Sequence, residues 1–210
     1  AYANYSESFA PLKGDQYASL STNYDKMDPI SYENTEFGLR YDFGGVSLGA
    51  SYFELTSNKP SYNTSSATYS ISEQEITGIE LQLIGTLTDK WFISAGYTDT
   101  DAKKTNGTPL REVPESVFSI WNNYLVSDKL ALNFGIINQG ETPIKDASAP
   151  LLPSFTGVDA GASYAFTDNT LLQLNIENLT DELYFPTSHS THQATVAAPV
   201  HATFGITSSF

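Results

Sequence analysis

Cysteine is absent from this chain of 210 residues, and both basic residues and long apolar runs are scarce. Without cysteine, no disulfide, iron–sulfur cluster or thiolate zinc site is possible. Only 10 Lys and Arg stand against 24 Asp and Glu, for a formal charge of -14, so the chain lacks the basic surface that binds phosphate backbones. No apolar run reaches the 18 residues of a membrane-spanning helix. These shortages exclude nucleic acid as a partner and exclude a helical membrane span.

Catalytic signatures are also missing. The chain has three histidines and contains no Gly-x-Ser-x-Gly nucleophile turn, no Walker loop and no His-Glu-x-x-His zinc motif. We therefore predict no enzymatic activity, no cofactor and no resident metal.

What the chain does have is a two-residue alternation of apolar and polar side chains. Residues 36–43 alternate in this way, Gly44 and Gly45 supply a tight turn, and residues 46–52 alternate again, which predicts a β-hairpin. Further hairpins are predicted around the turns 88–90, 127–129 and 167–169, although Trp121 and Asn122 interrupt the alternation of residues 116–126. With residues 2–9 and 200–210 as first and last strands, about ten strands are predicted.

The connections between these strands alternate in length along the chain. The short turns are followed each time by a long polar segment, and the predicted long segments are 10–34, 55–72, 101–114, 139–154 and 186–199. Short turns at one rim and long loops at the other are typical of bacterial outer-membrane barrels, whose long loops are extracellular. The prediction is an all-β fold, a transmembrane antiparallel up-and-down β-barrel.

Charged and aromatic residues favour the same interpretation. The charges within the strand cores fall on the phase opposite the apolar residues, and aromatic residues such as Tyr41, Trp91, Tyr164 and Phe210 lie near strand ends, where outer-membrane barrels carry aromatic girdles. Two alternatives stay open. One is a self-contained small outer-membrane barrel with a structural, adhesive or pore role, and the other is a soluble β-sandwich with an aromatic core.

Several segments resemble TonB-dependent siderophore receptors, in particular those of catecholate type. They include Tyr5–Pro11, Trp91–Tyr97 and Asn175–Tyr184, the last being similar to the motif of that family's penultimate strand, and Phe210 is similar to its C-terminal aromatic assembly signal. The resemblance implies that residues 1–210 form the C-terminal part of a 22-stranded barrel. The signal peptide, TonB box and plug domain of that family have no match in this chain, so we expect it to be a piece of a longer receptor.

The resemblance also implies a function and partners. A receptor of this family captures a ferric siderophore in its extracellular loops and imports it with energy delivered by TonB through the plug, while outer-membrane lipid and lipopolysaccharide surround the barrel. Aromatic and cationic side chains suit a planar, anionic iron chelate. By position, the predicted ligand-binding residues are Tyr62, Tyr69, Lys103, Lys104, Arg111, Tyr184, His189 and His192.

His189 and His192 admit one more interpretation. Two imidazoles three residues apart can share a metal ion if the loop makes a turn between them. The sequence favours two incidental histidines in an exposed polar loop over a shared metal ion, and we assign no metal site from the sequence.

Overall fold

The structure is a computed structural model that describes residues 1–11, 28–63, 66 and 68–209. Within these ranges it contains twelve β-strands and one turn of 3-10 helix, Ser190–His192. The strands are β1 (Tyr2–Ala10), β2 (Ile30–Phe43), β3 (Val46–Asn63), β4 (Thr68–Thr88), β5 (Trp91–Lys104), β6 (Ser116–Leu125), β7 (Leu130–Gln139), β8 (Thr142–Pro143), β9 (Leu151–Leu152), β10 (Phe155–Thr167), β11 (Thr170–Glu177) and β12 (His201–Ser208). None of the helical segments in the described residues has the length or apolarity needed to cross a membrane.

Ten of the strands form a single antiparallel sheet in which each strand pairs with its neighbour along the chain. The order is β1-β2-β3-β4-β5-β6-β7-β10-β11-β12, while β8 and β9 pair only with each other within the connection from β7 to β10. The predicted all-β, up-and-down arrangement of about ten strands is confirmed. Strands β1 and β12 lie at opposite edges of the sheet and do not pair with each other over the described residues, so the structure does not show a closed ten-stranded barrel.

The four predicted short turns are all confirmed. Between β2 and β3, Gly44 and Gly45 have φ of 52° and 87°, the left-handed region that a two-residue type I′ hairpin turn requires and that glycine adopts without strain. The turns after β4, β6 and β10 are likewise short, and in the last one the Asn169 backbone N–H donates to Thr167 Oγ1 at 3.3 Å.

The opposite ends of the strands extend further than the sequence predicted. Segments 55–72 and 101–114 were predicted as loops, yet β3 continues to Asn63, β4 begins at Thr68 and β5 continues to Lys104. Of the predicted loop 10–34, residues 12–27 lie outside the described residues and residues 30–34 belong to β2. The ladder of backbone hydrogen bonds continues past the apolar stretch because hydrogen bonding between strands does not depend on side-chain polarity.

The sheet has one apolar and one polar face. Paired residues of neighbouring strands lie on the same face, so the register Leu39↔Ala50↔Leu81↔Tyr97 forms a continuous apolar row. The residues one position away form the polar face, where Arg40, Glu80, Gln82 and Ser94 line one shallow depression. This confirms that charges in the strand cores lie opposite the apolar side chains.

Among the residues that the structure describes, no second layer covers the apolar face. Leu174, Phe204 and Tyr164 are 38%, 63% and 41% exposed, whereas a sandwich would bury them between two sheets. Few hydrophobic residues are buried in the part of the chain described, namely Ile30, Val46, Ile93, Leu110, Leu152 and Phe155. Exposed apolar surface of this extent is what a lipid-facing wall presents, and the soluble sandwich interpretation does not hold.

The structure also resolves the ambiguous phase at Trp121 and Asn122. Asn122 lies on the apolar face, paired with Ile93, and its Oδ1 accepts a hydrogen bond from Trp91 Nε1 at 3.0 Å. Trp121 lies on the polar face, where its ring covers Gly135 so closely that a Cβ at that glycine would be 2.8 Å from ring atoms. The strand therefore keeps its regular facing, although the polarity of these two side chains is reversed relative to their faces.

Candidate functional site

The candidate site is the loop end of the sheet, opposite the four short turns. It comprises the ends of β3, β4 and β5, the connection 105–115, the connection 140–154 that contains β8 and β9, and the connection 178–200 between β11 and β12. All the predicted ligand-binding residues fall in these segments.

Connections 105–115 and 140–154 are tied to each other. The Glu112 backbone N–H donates to the Pro143 carbonyl at 2.7 Å, and Leu110 and Leu152 are both buried, each with 7% of its surface exposed. Asp146 joins the two segments further, because its side chain binds Lys104 Nζ at 2.8 Å through Oδ2 and accepts the Arg111 backbone N–H at 3.1 Å through Oδ1.

Asp146 is ionised over the whole neutral range. Partial burial by itself would raise the pKa of its carboxyl, but the hydrogen bonds from Lys104 and from the Arg111 backbone outweigh burial and leave that pKa below its usual value. The carboxylate therefore stays negatively charged, pairs with the side chain of Lys104 and binds the backbone of Arg111.

The other two predicted cations are also paired with acids. Lys103 Nζ lies 2.5 Å from Asp101 Oδ2, and Arg111 Nη2 lies 2.9 Å from Glu112 Oε1. Lys103, Asp101 and Asp99 line a pocket of about 530 Å³ beside Leu110. These pairs are exposed, so each cation can exchange its acid for an anionic ligand at small cost.

Tyr62 and Tyr69 pair with each other in register near the tip of the β3–β4 hairpin. Only their backbone is described. The structure therefore places them in strands and not in a loop, beyond Gln74, the residue of β4 at which its pairing with β5 ends.

Connection 178–200 is closed at its base by Asn178, which was not predicted as a site residue. Its side chain is buried and fully hydrogen bonded: Nδ2 donates to the carbonyls of Glu182 and Ala198, both at 2.9 Å, and Oδ1 accepts the Glu182 N–H at 3.0 Å. Its own N–H donates to Asp159 Oδ1 on β10 at 2.9 Å. One asparagine thus links the end of β11, the start of β12 and the neighbouring strand.

Asp181 completes this base. It has a φ of 51°, and its Oδ1 accepts the Val200 N–H at 2.9 Å immediately before β12. Asn and Asp tolerate this left-handed backbone conformation better than other non-glycine residues. The segment 175–184 that resembles the family motif therefore builds a tight corner in the chain, and the sequence signal for it was the Asn-x-x-Asp spacing.

Tyr184 follows this corner in the chain, and its side chain lies over the polar face. Its ring stacks on Phe155, with centroids 4.2 Å apart and planes inclined by 12°. Burial raises the pKa of the Tyr184 hydroxyl, with smaller contributions from the charges of Asp159 and Glu177. The phenol is neutral at physiological pH and can donate a hydrogen bond.

His189 and His192 lie at the tip of the same connection. The Thr195 N–H donates to the Thr187 carbonyl at 2.9 Å, and the His189 N–H donates to the Gln193 carbonyl at 2.8 Å, so residues 187–195 form a small closed hairpin. The turn that the metal interpretation required is present, and His189 Nδ1 lies 3.2 Å from His192 Nε2. No group of three or more His, Cys, Asp or Glu able to hold a metal occurs within the described ranges.

The predicted residues thus fall into separate groups around the rim. Lys104 and Arg111 meet at Asp146, whereas Tyr184, His189 and His192 share connection 178–200. Gln139 touches both regions, since its Nε2 donates to Thr142 Oγ1 at 3.2 Å and to the Pro186 carbonyl at 3.4 Å.

Comparison with known proteins identifies the architecture. The chain is 30% identical to the probable TonB-dependent siderophore receptor PiuA of Acinetobacter baumannii over 93% of its length, and 26% identical to the catecholate siderophore receptor Fiu of Escherichia coli K12 over 87%. It spans only 30% and 27% of those proteins. The crystal structure of PiuA superimposes with a TM-score of 0.85, covering 98% of this chain and 33% of that one.

A family model covers most of the chain. The model described as "TonB dependent receptor-like, beta-barrel" matches residues 1–179. The sheet, with its apolar outer face and its polar inner face, accordingly has the architecture of an outer-membrane β-barrel wall and matches 33% of the PiuA chain. The chain belongs to the TonB-dependent receptor-like β-barrel family.

Proposed function

We propose that this chain forms part of the barrel wall and the extracellular loops of an outer-membrane receptor that takes up a ferric siderophore with energy from TonB. The observation that carries the proposal is the match to PiuA, in which nearly the whole chain follows the fold of a siderophore receptor at 30% identity. The chain spans less than a third of that receptor, so the ligand and the coupling to TonB belong to the proposal.

The loop end of the sheet supports this function chemically. Tyr184 is a neutral phenol stacked on Phe155 beside the polar face, and Arg111 and Lys103 are exposed cations paired with exposed acids. An iron chelate with aromatic iron-binding groups and negative charge would exchange those acids for its own oxygens and stack on exposed rings. Tyr62, Tyr69, Lys104, His189 and His192 complete the proposed ligand-binding set.

The same proposal implies what surrounds the barrel and where the plug domain that couples it to TonB would lie. Lipid covers the apolar face, and lipopolysaccharide lies against the charged ends of β3, β4 and β5 that rise beyond the apolar rows. The polar face, with Trp121, Asn133, Asp159 and Asn175 around one depression, is the surface on which a plug domain engaged by TonB would rest.

The decisive experiment is iron uptake by cells. The complete gene containing this segment is expressed in a strain that lacks its own siderophore receptors, and uptake of radioactive iron is measured with a catecholate siderophore, with a hydroxamate siderophore and with uncomplexed iron. We expect uptake of at least one chelate, and we expect it to disappear when TonB is deleted. No chelate-dependent uptake in the presence of correctly assembled receptor would refute the proposal.

Two matched variants test the site within that assay. Arg111→Gln removes a predicted ligand cation at the loop end, whereas Lys129→Gln removes a cation from the short turn between β6 and β7 at the opposite end. We expect Arg111→Gln to raise the chelate concentration required for half-maximal uptake and Lys129→Gln to leave it unchanged.

A further inference from the structure

We propose that His189 and His192 form a binding site for a divalent first-row transition metal at the tip of connection 178–200. The proposal concerns a metal ion held by the protein itself and does not depend on which chelate the receptor transports.

The geometry of the two rings carries the proposal. With metal–nitrogen bonds of about 2.0–2.1 Å, two imidazole nitrogens lie about 2.9 Å apart for a right angle at the metal and about 3.3 Å apart for a tetrahedral angle. His189 Nδ1 and His192 Nε2 are 3.2 Å apart, and the ring planes are inclined by 78°. A small shift therefore suffices for both nitrogens to bind one ion.

The backbone holds this geometry in place. The hairpin 187–195 is closed below the rings by two backbone hydrogen bonds and by the Thr187 hydroxyl, which donates to Thr195 Oγ1 at 3.0 Å. Ser190, the first residue of the 3-10 turn, has a φ of 58°, an unusual conformation for a serine that brings the chain around between the two histidines. A preorganised pair loses less entropy on binding than two mobile side chains.

Metal binding must displace the proton that lies between the two facing nitrogens. Without metal, one of the two facing nitrogens carries the proton that joins them and the other accepts it. A metal ion replaces that proton, which moves to the other nitrogen of its ring or, if the pair is charged, leaves to solvent. Both rings must end neutral, so protons compete with the metal ion for the two nitrogens.

The donor set defines the class of ion. Imidazole nitrogen suits Cu²⁺, Ni²⁺ and Zn²⁺, whereas Mg²⁺ and Ca²⁺ prefer oxygen. Both histidines are exposed, and the described part of the chain offers no third His, Cys, Asp or Glu in a metal-binding group with them. Two coordination positions or more are therefore left to water or to an external ligand, and Cu²⁺ should bind more tightly than Zn²⁺.

The test uses CuCl₂ and ZnCl₂ on the polypeptide encoded by the complete gene, purified in detergent. Calorimetric titration is made on wild type, His189→Ala, His192→Ala, the double variant and His201→Ala. His201 is the matched control because it lies in β12 beside Glu177, away from the pair.

If the two rings hold one ion jointly, each single substitution should weaken Cu²⁺ binding at least about tenfold, the lower end of the cost of losing a supporting group at a metal site. The double variant should lose at least as much as either single variant, because the one imidazole left in a single variant still binds Cu²⁺ weakly, and His201→Ala should stay within about twofold of wild type. Single-variant losses of about twofold, as independent rings would give, or an equal loss in His201→Ala would overturn the proposal.

A second measurement requires no substitution. Electron paramagnetic resonance of wild type with one equivalent of Cu²⁺ counts the nitrogens bound to the metal. We expect two imidazole nitrogens, and we expect a tenfold excess of Mg²⁺ to leave the spectrum unchanged. One nitrogen or none at this stoichiometry would refute a shared site even if the variants failed to fold.

Discussion

The two ends of this sheet are organised by different interactions. At the short-turn end, strands such as β2 and β3 are joined by two residues and held by a regular ladder, and their outward side chains form a continuous apolar surface. At the loop end, the long connections are held by side chains that bind backbone groups, with Asn178 and Asp146 as centres. Regular pairing therefore builds the wall, whereas a few buried or paired polar side chains hold the long connections of the loop end in place.

The largest expected effect tests the wall. Leu174 and Phe204 are paired on the apolar face, and Gln173 points to the other face. Arginine at a lipid-facing position near the middle of the bilayer costs about 2–4 kcal/mol, whereas a lumen position tolerates it. We expect Leu174→Arg and Phe204→Arg to reduce the folded receptor recovered from the outer membrane sharply and Gln173→Arg to leave it near wild type.

The amount of heat-modifiable receptor in membrane fractions provides the measurement. Equal recovery of all three variants would mean that the apolar face does not meet lipid.

The next effect tests the corner at the loop end. Asn178→Ala removes three side-chain hydrogen bonds from a buried site and places alanine at a φ of 50°. Orphaned buried groups cost about 1–3 kcal/mol. We expect faster hydrogen exchange at the backbone amides of Glu182 and Val200, with the β10–β11 ladder still protected.

Asn175→Ala is the matched control for that substitution, because Asn175 lies three residues earlier, in β11, and is exposed on the polar face. If it accelerates exchange in connection 178–200 as much as Asn178→Ala does, the corner is not held by the buried amide.

A smaller effect belongs to the aromatic stack. Tyr184→Leu removes the ring that lies on Phe155, and stacked aromatic pairs contribute about 0.5–1.5 kcal/mol beyond the area they bury. Tyr184→Phe keeps the ring and removes only the hydroxyl. Amide exchange rates of residues 184 and 185 should rise with leucine and stay near wild type with phenylalanine. Identical behaviour of the two variants would contradict a role for the stack.

The smallest effect concerns the Lys104–Asp146 pair. Both partners are partly exposed, so the pair contributes less than about 1 kcal/mol. Because the pKa of Asp146 is lower folded than unfolded, this stability is present above the ordinary carboxyl pKa of about 3.9 and is lost as the pH falls through the lower, folded value.

Hydrogen exchange of residues 144–148 checks this prediction. Asp146→Asn should loosen that segment modestly at neutral pH, while Glu141→Gln, which changes an exposed carboxylate in the same connection, should not. A loss of protection that begins above pH 5 in wild type would mean that a titrating group other than Asp146 holds this segment.

The sequence predicted the wall well because alternation and turn residues act locally. The turn at Gly44–Gly45 and the faces of Leu174 and Gln173 follow from two-residue periodicity alone. The extension of β3 and β4 beyond the apolar stretch could not be predicted in this way, because backbone pairing does not require any particular pattern of polar side chains.

The loop end was harder for a related reason. The stack of Tyr184 on Phe155 and the tie from Asn178 to Ala198 join residues about 20 or more positions apart, and no local pattern encodes such contacts. The ligand-binding roles of the predicted residues stay predictions. The structure does show that Tyr184, His189 and His192 share one connection.

The corner at Asn178 gives the last connection two parts with different freedom to change. The amide of Asn178 binds the chain both shortly after β11 and shortly before β12. Residues 187–195 therefore form an outer hairpin on a connection whose two ends are held together. Substitutions, insertions or epitope tags in that outer hairpin need not propagate into the wall. Natural variation can thus rewrite the outward tip between related receptors while the assembly of the last two strands stays unaltered.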